Sequence, residues 1–424
     1  MSRTSSIVGL VAAAALVVTS HAIGAEPSST SAEHWVHSWA SMPQLTESSN
    51  MPPAPFTQNG VVLANATLRQ TVHVSVGGSQ LRLRFSNAFG GAPLPITAVT
   101  VAQPRGGQAG VSGIEPGSAR PVMFRGKASA VVQRGAQVVS DPIPFPVQAQ
   151  ANLTVTMYSG QGQASTDITS HPGSRTTSHL VAGNHVGDEA LSGATPTDHW
   201  YFLSGVEVWS GPDTAALVVL GDSLSDGRGS TTNGNNRWPD QLLARLQTQP
   251  DTADVAVVNQ AAGGNSVLRG GLGPTALSRL DRDVLAQSGI AWLVVFEGVN
   301  DIGGSPATDA GRRQVTDELI DAYDQIILQS HAQGIRVYGA TLLPFGGNSY
   351  DDSSGYHEAA RQKVNDWIRT SGAFDAVLDF DQTTRDPAQP RKLKAAYDSG
   401  DHLHLNPTGY RALADAVPTT LLTS

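Results

Sequence analysis

The chain of 424 residues contains no cysteine, so disulfides, thiolate metal ligands and a cysteine nucleophile are all excluded. Charge is scarce, at 15% of residues, and aromatic side chains make up only 6%. With 27 Lys and Arg against 36 Asp and Glu the net charge is -9, and no basic cluster interrupts it, which argues against a nucleic-acid partner. No apolar run is long enough to span a bilayer. The longest, Ile7 to Val18, follows Arg3 and precedes the small residues Ser20, Ala22, Gly24 and Ala25. That order is the pattern of a secretory signal peptide, with cleavage expected after Ala25. The Gly-x-Ser-x-Gly nucleophile elbow is also missing, which removes one common serine-esterase scaffold.

What the chain does have is a set of polar motifs, each placed after a strand-like apolar run. Gly221-Asp222-Ser223-Leu224 follows Ala215 to Leu220, Asn259-Gln260-Ala261-Ala262-Gly263-Gly264-Asn265 follows Val255 to Val258, and Gly298-Val299-Asn300-Asp301 follows Trp292 to Phe296. Near the end come Asp401-His402-Leu403-His404-Leu405 and then Asn406-Pro407, the cap and first position of a last helix. Two further strands are expected at Val337 to Leu343 and Val377 to Phe380. Helical patterns lie between the strands, the clearest being Leu319, Ile320, Tyr323, Ile326 and Ile327. Such alternation predicts an α/β fold, a doubly wound parallel sheet covered by helices on both faces. The carboxyl ends of its strands would collect the motifs on one edge.

A serine hydroxyl is a weak nucleophile until a histidine, itself held by a carboxylate, takes its proton. Asp401 and His404 are three residues apart, so one turn can present both on the same side. His402 adjoins Asp401 and competes for the base role by proximity. Two imidazoles beside Asp401, with Asp222 and Asp226 in an earlier loop, also raise a metal site. The histidines that a two-metal centre would need near the other motifs are missing, and no metal or cofactor is expected. Asp222, Asp226 and Asp301 are expected to bond the backbone of their own loops.

In order and placement the four blocks resemble those of the SGNH (GDSL) hydrolase family, over roughly the last half of the chain. The resemblance implies a flavodoxin-like fold and acyl transfer, with Ser223 as nucleophile, His404 as base and Asp401 orienting it. It implies an oxyanion hole made by the Ser223 N–H, the Gly264 N–H and the Asn300 side chain, and its spacing favours His404 over His402. The family spans short-chain esterases, polysaccharide deacetylases, lipases, phospholipases and thioesterases, and an acyltransferase would use the same acyl-enzyme.

The residues before Ser223 have a β texture. Leu68 to Val76 alternates, Gly77-Gly78 turns the chain, and Leu81 to Phe85 alternates again, which predicts a hairpin. Thr97 to Ala102, Ala130 to Val139 and Leu153 to Tyr158 continue the pattern, as in an all-β sandwich or jelly-roll-like domain. With a boundary at Ser210-Gly211-Pro212-Asp213, the expected division is a signal at 1–25, a β domain at 26–212 and a catalytic domain at 213–424. Several SGNH-type carbohydrate deacetylases have a similar pairing. Trp35, Trp39, Trp200, Tyr201 and Trp209 would either stack on sugar rings or pack in the core or at the seam between the halves. The loops Arg228 to Trp238, Val267 to Pro274 and Phe345 to Gly355 are rich in Gly, Asn and Ser, which disfavours a long apolar acyl channel. The expected partner is therefore a small-molecule or carbohydrate ester with a short acyl group. Trp238 and Phe345 are candidates to line its site.

Overall fold

Apolar runs buried on both faces form the parallel sheet of the second half. In the computed structural model, which describes Met1 and residues 32–423, these strands are β1 (Ala215–Gly221), β2 (Val255–Asn259), β3 (Ile290–Phe296), β4 (Arg336–Ala340) and β5 (Ala376–Leu378). All neighbours are parallel and the order is β2-β1-β3-β4-β5. Helices Trp238–Leu246, Asp309–His331, Tyr356–Thr370 and Pro407–Ala416 flank the sheet, and of the expected stripe Leu319, Tyr323, Ile326 and Ile327 are buried while Ile320 is half-buried. The chain passes from β1 to one neighbour and then returns to the other side. A crevice is thereby left beyond the carboxyl ends of β1 and β3, the switch point where doubly wound sheets bind ligands.

Two strands are shorter than their apolar runs suggest. β4 ends at Ala340 because the Asn365 side chain takes over the backbone of Leu342, bonding both its N–H (2.7 Å) and its carbonyl (2.9 Å). β5 ends at Leu378 because Asp379 caps the helix Phe380–Thr384 by accepting from Gln382 N.

The first half is built from antiparallel sheets. One orders the strands His34–Ala40, Leu203–Ser210, Gln80–Ser86 and Gln137–Val139. The other orders Thr195–Thr197, Ser178–Ala182, Ala66–His73, Asn152–Ser159, Ala98–Ala102 and Arg120–Pro121. Alternation is clean in Gln80–Ser86, where Leu81, Leu83 and Phe85 face the core while Arg82 and Arg84 pair with Glu207 on the next strand.

The expected hairpin is not formed, since Ala66–His73 pairs with Asn152–Ser159 and Ser178–Ala182 while Gln80–Ser86 belongs to the other sheet. A tight hairpin turn needs positive φ at its central residues, and neither Gly77 nor Gly78 has it. Both glycines instead allow close backbone contact: a Cβ on Gly77 would lie 2.4 Å from the Val147 carbonyl, and one on Gly78 2.5 Å from that of Trp209. The segment carries the chain from one sheet to the other.

Glu33–Ser424 is one compact unit in which both halves share a continuous apolar core. Polar contacts cross the seam as well: Ser75 Oγ donates to Val257 O (2.6 Å), His37 N to Ser288 O (3.0 Å), and Ser288 N to His37 Nδ1 (2.8 Å). The tryptophans pack in pairs. Trp35 meets Trp209 edge-on at 5.2 Å, with Arg82 over the Trp35 ring, and Trp39 meets Trp200 at 4.9 Å. Trp39, Trp200 and Tyr201 are buried, and Arg237 of the second half lies over Trp200. Among the described residues no helix is long and apolar enough to cross a membrane. The signal-peptide expectation falls on residues 1–25, which apart from Met1 lie outside the described residues.

Candidate active site

At the end of β1 the chain turns into a single helical turn, Ser223–Asp226. Asp222 caps it by accepting from Leu224 N (2.9 Å), and Gly227 ends it at φ 90. Ser223 is therefore held on rigid backbone with its N–H at a helix start, where no earlier carbonyl of the helix can use it. The Ser223 Oγ lies 2.7 Å from His404 Nε2, and His404 Nδ1 lies 2.6 Å from Asp401 Oδ2.

The three-residue spacing of Asp401 and His404 works through the backbone as well as the side chains. Asp401 Oδ1 accepts the N–H of His404 (2.8 Å) and of Leu403 (3.1 Å), closing a turn that His402 permits with φ 64. His402 itself points elsewhere: it is exposed and its Nδ1 is 2.6 Å from Asp398. Burial pushes the His404 imidazole below its ordinary pKa and outweighs the opposing pull of Asp401, while Arg228 and Arg175 add to the lowering. Partial burial alone would raise the Asp401 carboxyl, yet the His404 N–H and ring and the Leu403 N–H hold it at about 2. At neutral pH the pair is thus a carboxylate beside a neutral imidazole, the arrangement in which Nδ1 keeps its proton and Nε2 can accept one.

The loop after β2 supplies the opposite wall. Gly263 N donates to Asp226 Oδ2 (2.9 Å), and Gly264 follows at φ 71 under Leu272, whose N–H bonds the Gly264 carbonyl (2.8 Å). Neither Ser223 N nor Gly264 N donates to any described residue. Asn300 stands in the short helix Val299–Gly303 that follows β3. Its Nδ2 donates to Asn265 O (2.6 Å) and its Oδ1 accepts from Tyr350 Oη (2.8 Å), so the amide cannot rotate, and one of its two N–H bonds remains free.

Beneath these loops the buried Arg279 ties their ends together, donating to Gln260 O (2.5 Å) and Asn265 Oδ1 (3.0 Å) and reaching Gly221 O and Glu297 Oε2 (both 3.3 Å). Burial raises Glu297 to about 7 against that cation. Asp222 bonds its own loop as expected, at Leu224 N, but Asp226 and Asp301 instead hold the loop after β2, Asp226 through Gly263 N and Asp301 through Val267 N and Leu268 N (2.9 Å each). Among the described residues no group of three or more His, Asp or Glu side chains is arranged to hold a metal ion.

A cavity of about 420 Å³ opens over Ser223 and His404. Arg228, Leu272 and Tyr350 line it, one from each of the three loops expected to shape it. The first half lines it too, through Gln44, Glu47, Asn50, Arg175 and His199. A second cavity, of about 730 Å³, shares Gly264, Leu272, Asn300 and Tyr350 with the first.

This geometry agrees with a match between residues 219–412 and the model of the GDSL-like lipase/acylhydrolase family. Residues 219–412 are a GDSL-like lipase/acylhydrolase domain. The protein is accordingly a carboxylic ester hydrolase. No curated protein sequence matches it. Among solved structures, a GDSL-like lipase from Bacteroides thetaiotaomicron is 14% identical with a TM-score of 0.35, over 49% of this chain and 87% of its own. An acetylxylan esterase from Geobacillus stearothermophilus is 19% identical with a TM-score of 0.36, over 48% and 93%.

Within the GDSL-like domain, Trp238 and Phe345 do not line the site as expected. Both are fully buried: Trp238 Nε1 donates to Ser225 Oγ (2.9 Å) and its ring packs on Phe380, while Phe345 sits edge-on behind Tyr350. Trp238 starts the helix Trp238–Leu246, and both rings take their apolar contact from the core. Several residues at the site carried no sequence signal. His171, on a strand of the first half, bonds Asp226 Oδ1 through Nε2 (2.9 Å) and Met42 O through Nδ1 (3.1 Å), and it stacks on Trp200. Arg175, Arg279 and Tyr350 are equally silent as isolated letters.

Proposed function

We propose that this protein is an exported serine esterase that removes short acyl groups, acetyl above all, from carbohydrates or small alcohols. One observation carries the reading: the continuous line from Ser223 Oγ through His404 to Asp401, at 2.7 and 2.6 Å, beside the Ser223 and Gly264 N–H groups, which have no partner among the described residues. In this mechanism His404 Nε2 takes the hydroxyl proton as Ser223 Oγ bonds the ester carbonyl carbon. The N–H groups of Ser223 and Gly264 and the Asn300 amide hold the resulting oxyanion. Collapse breaks the bond to the alcohol, which leaves with the proton held by His404. Water then adds to the acyl-enzyme by the same proton route and releases the acid, restoring Ser223.

A short acyl group is supported by the lining of the cavity, where Gln44, Asn50, His199 and two arginines leave Leu272, Leu403 and Tyr350 as the main apolar surface. Export rests on the pattern of residues 1–25, and the N-terminus of the mature protein recovered from the medium or periplasm should begin at Glu26. The β-rich residues 26–212 act in this reading as a companion domain that completes the cleft.

The test is the initial rate on p-nitrophenyl acetate, butyrate, octanoate and palmitate, for the wild type and Ser223→Ala, with and without a chelator. Chelator-resistant turnover that falls with acyl length and disappears in the variant is expected. Rates rising with chain length would indicate a lipase, and an active Ser223→Ala variant would end the serine mechanism.

A further inference from the structure

The cavity over Ser223 has a basic wall that acyl transfer itself leaves unused. Arg175 comes from the first half, four residues after the buried His171, and Arg228 from the loop that follows the Ser223 turn. The Arg175 guanidinium makes no hydrogen bond or ion pair with any described residue, and its Nε is buried without an acceptor. Its backbone is held at φ 49, a left-handed conformation that a residue with a side chain seldom adopts, and Asn233 N bonds its carbonyl (2.9 Å). Arg228 is exposed, and its closest carboxylate, Asp401, is 3.9 Å away, beyond hydrogen-bond distance.

The acidic groups around the same cavity are already engaged. Glu47 accepts from Gln44 Nε2 (2.6 Å) and Asn50 Nδ2 (2.9 Å). Asp226 is bound by His171 and Gly263, and Asp401 by His404 and Leu403. Those carboxylates have their own partners, so the Arg175 guanidinium is left facing the cavity without an acceptor among the described residues. A planar guanidinium with free N–H bonds matches a carboxylate in shape and charge.

We propose that this wall binds a single carboxylate carried by the substrate close to its scissile ester, so that the preferred substrates are acidic esters such as acylated sugar acids. The proposal rests on the esterase reading above and narrows its substrate class. It also gives the first half a role in specificity, since Arg175 lies outside residues 219–412.

The test compares 4-acetoxybenzoate with the neutral 4-acetoxybenzamide, each rate divided by that ester's own hydroxide-catalysed rate. For the wild type, kcat/KM should favour the acid about tenfold or more, mainly through KM, as expected for a charge-assisted contact. Arg175→Gln should bring the ratio close to one, and Arg175→Lys should restore part of it. Absence of a preference in the wild type, or an equal loss on both esters in Arg175→Gln, would overturn the proposal, the latter because it would make Arg175 a positioning residue for the triad. Should Arg175→Gln not fold, Arg228→Gln is expected to lower the ratio in its place. Binding separates this claim from the esterase reading. Ser223→Ala should bind 4-hydroxybenzoate more tightly than 4-hydroxybenzamide, a preference lost when Arg175→Gln is added. Failure of turnover with that preference intact would reject the esterase and keep the subsite, whereas equal binding would reject the subsite.

Discussion

Asn300 offers the sharpest test of how the site stabilises charge. Its amide is clamped between Asn265 O at 2.6 Å and the Tyr350 hydroxyl at 2.8 Å, leaving one N–H for the oxyanion. Replacing Asn300 by Ala removes one of three donors, and such a loss costs about 100- to 1000-fold in kcat, or about 2.7–4 kcal/mol. KM should barely change, because the donor acts on charge that exists only in the transition state. Tyr350→Phe removes just the bond that orients the amide, a partly buried neutral hydrogen bond of about 0.5–1.5 kcal/mol, so kcat should fall by no more than about tenfold. The two effects share one path. In the Asn300→Ala background Tyr350→Phe should therefore change kcat little, giving a large coupling in a double-mutant cycle on p-nitrophenyl acetate. A change confined to KM in Asn300→Ala would refute the oxyanion role. Equal costs of Tyr350→Phe in both backgrounds would refute the orienting role.

Three other outcomes are expected. Because burial lowers the His404 pKa and only neutral imidazole can take the serine proton, kcat/KM should rise with pH through one ionisation centred below 6.5, and Arg228→Gln should move that midpoint upward; a midpoint above 6.5 in the wild type would contradict the assignment. His171→Phe leaves the Asp226 carboxylate buried without its partner, which should cost about 3–5 kcal/mol in denaturant unfolding and lower kcat by loosening Gly263. Adding Asp226→Asn should recover part of that stability, and no recovery would show that the lost contact with Asp226 is not the cause. Burial holds His37 at about 3, so between pH 6.5 and 3 the unfolded chain binds a proton there that the folded protein does not. Stability should fall as the pH drops through that window, by up to about 1.4 kcal/mol per unit from this group, and a pH series of unfolding curves with His37→Gln should show a shallower slope.

Much of the catalytic half was legible in the letters because its signals are local. Apolar runs that must be covered on both faces name the strands, and a polar motif directly after a strand can only lie at the strand's end. Asp401 and His404 could be paired from their spacing since a single turn joins them, and Asp222 bonds its own loop as a short carboxylate does, whereas Asp226 and Asp301 reach across to the loop after β2. The ends of β4 and β5 were less legible: Asn365 and Asp379 stop those strands from outside the apolar pattern.

Long-range pairing was hidden for the same physical reason. Alternation in Gln80–Ser86 specifies which side chains face inward, whereas Ala66–His73 is buried on both faces, and neither pattern names the strand that lies alongside, so the two ended in different sheets. Trp238 and Phe345 have a size and polarity that suit a binding site or a core equally, and only the packing around them chose the core. Local patterns were enough for the α/β order, the position of Ser223 at a strand end and the Asp401–His404 turn. The tertiary structure alone decided that the β half reaches into the cleft, through His171 on Asp226 and Arg175 on the cavity wall. Those contacts join residues far apart along the chain, and their energy depends on a distance that no local pattern of residues encodes.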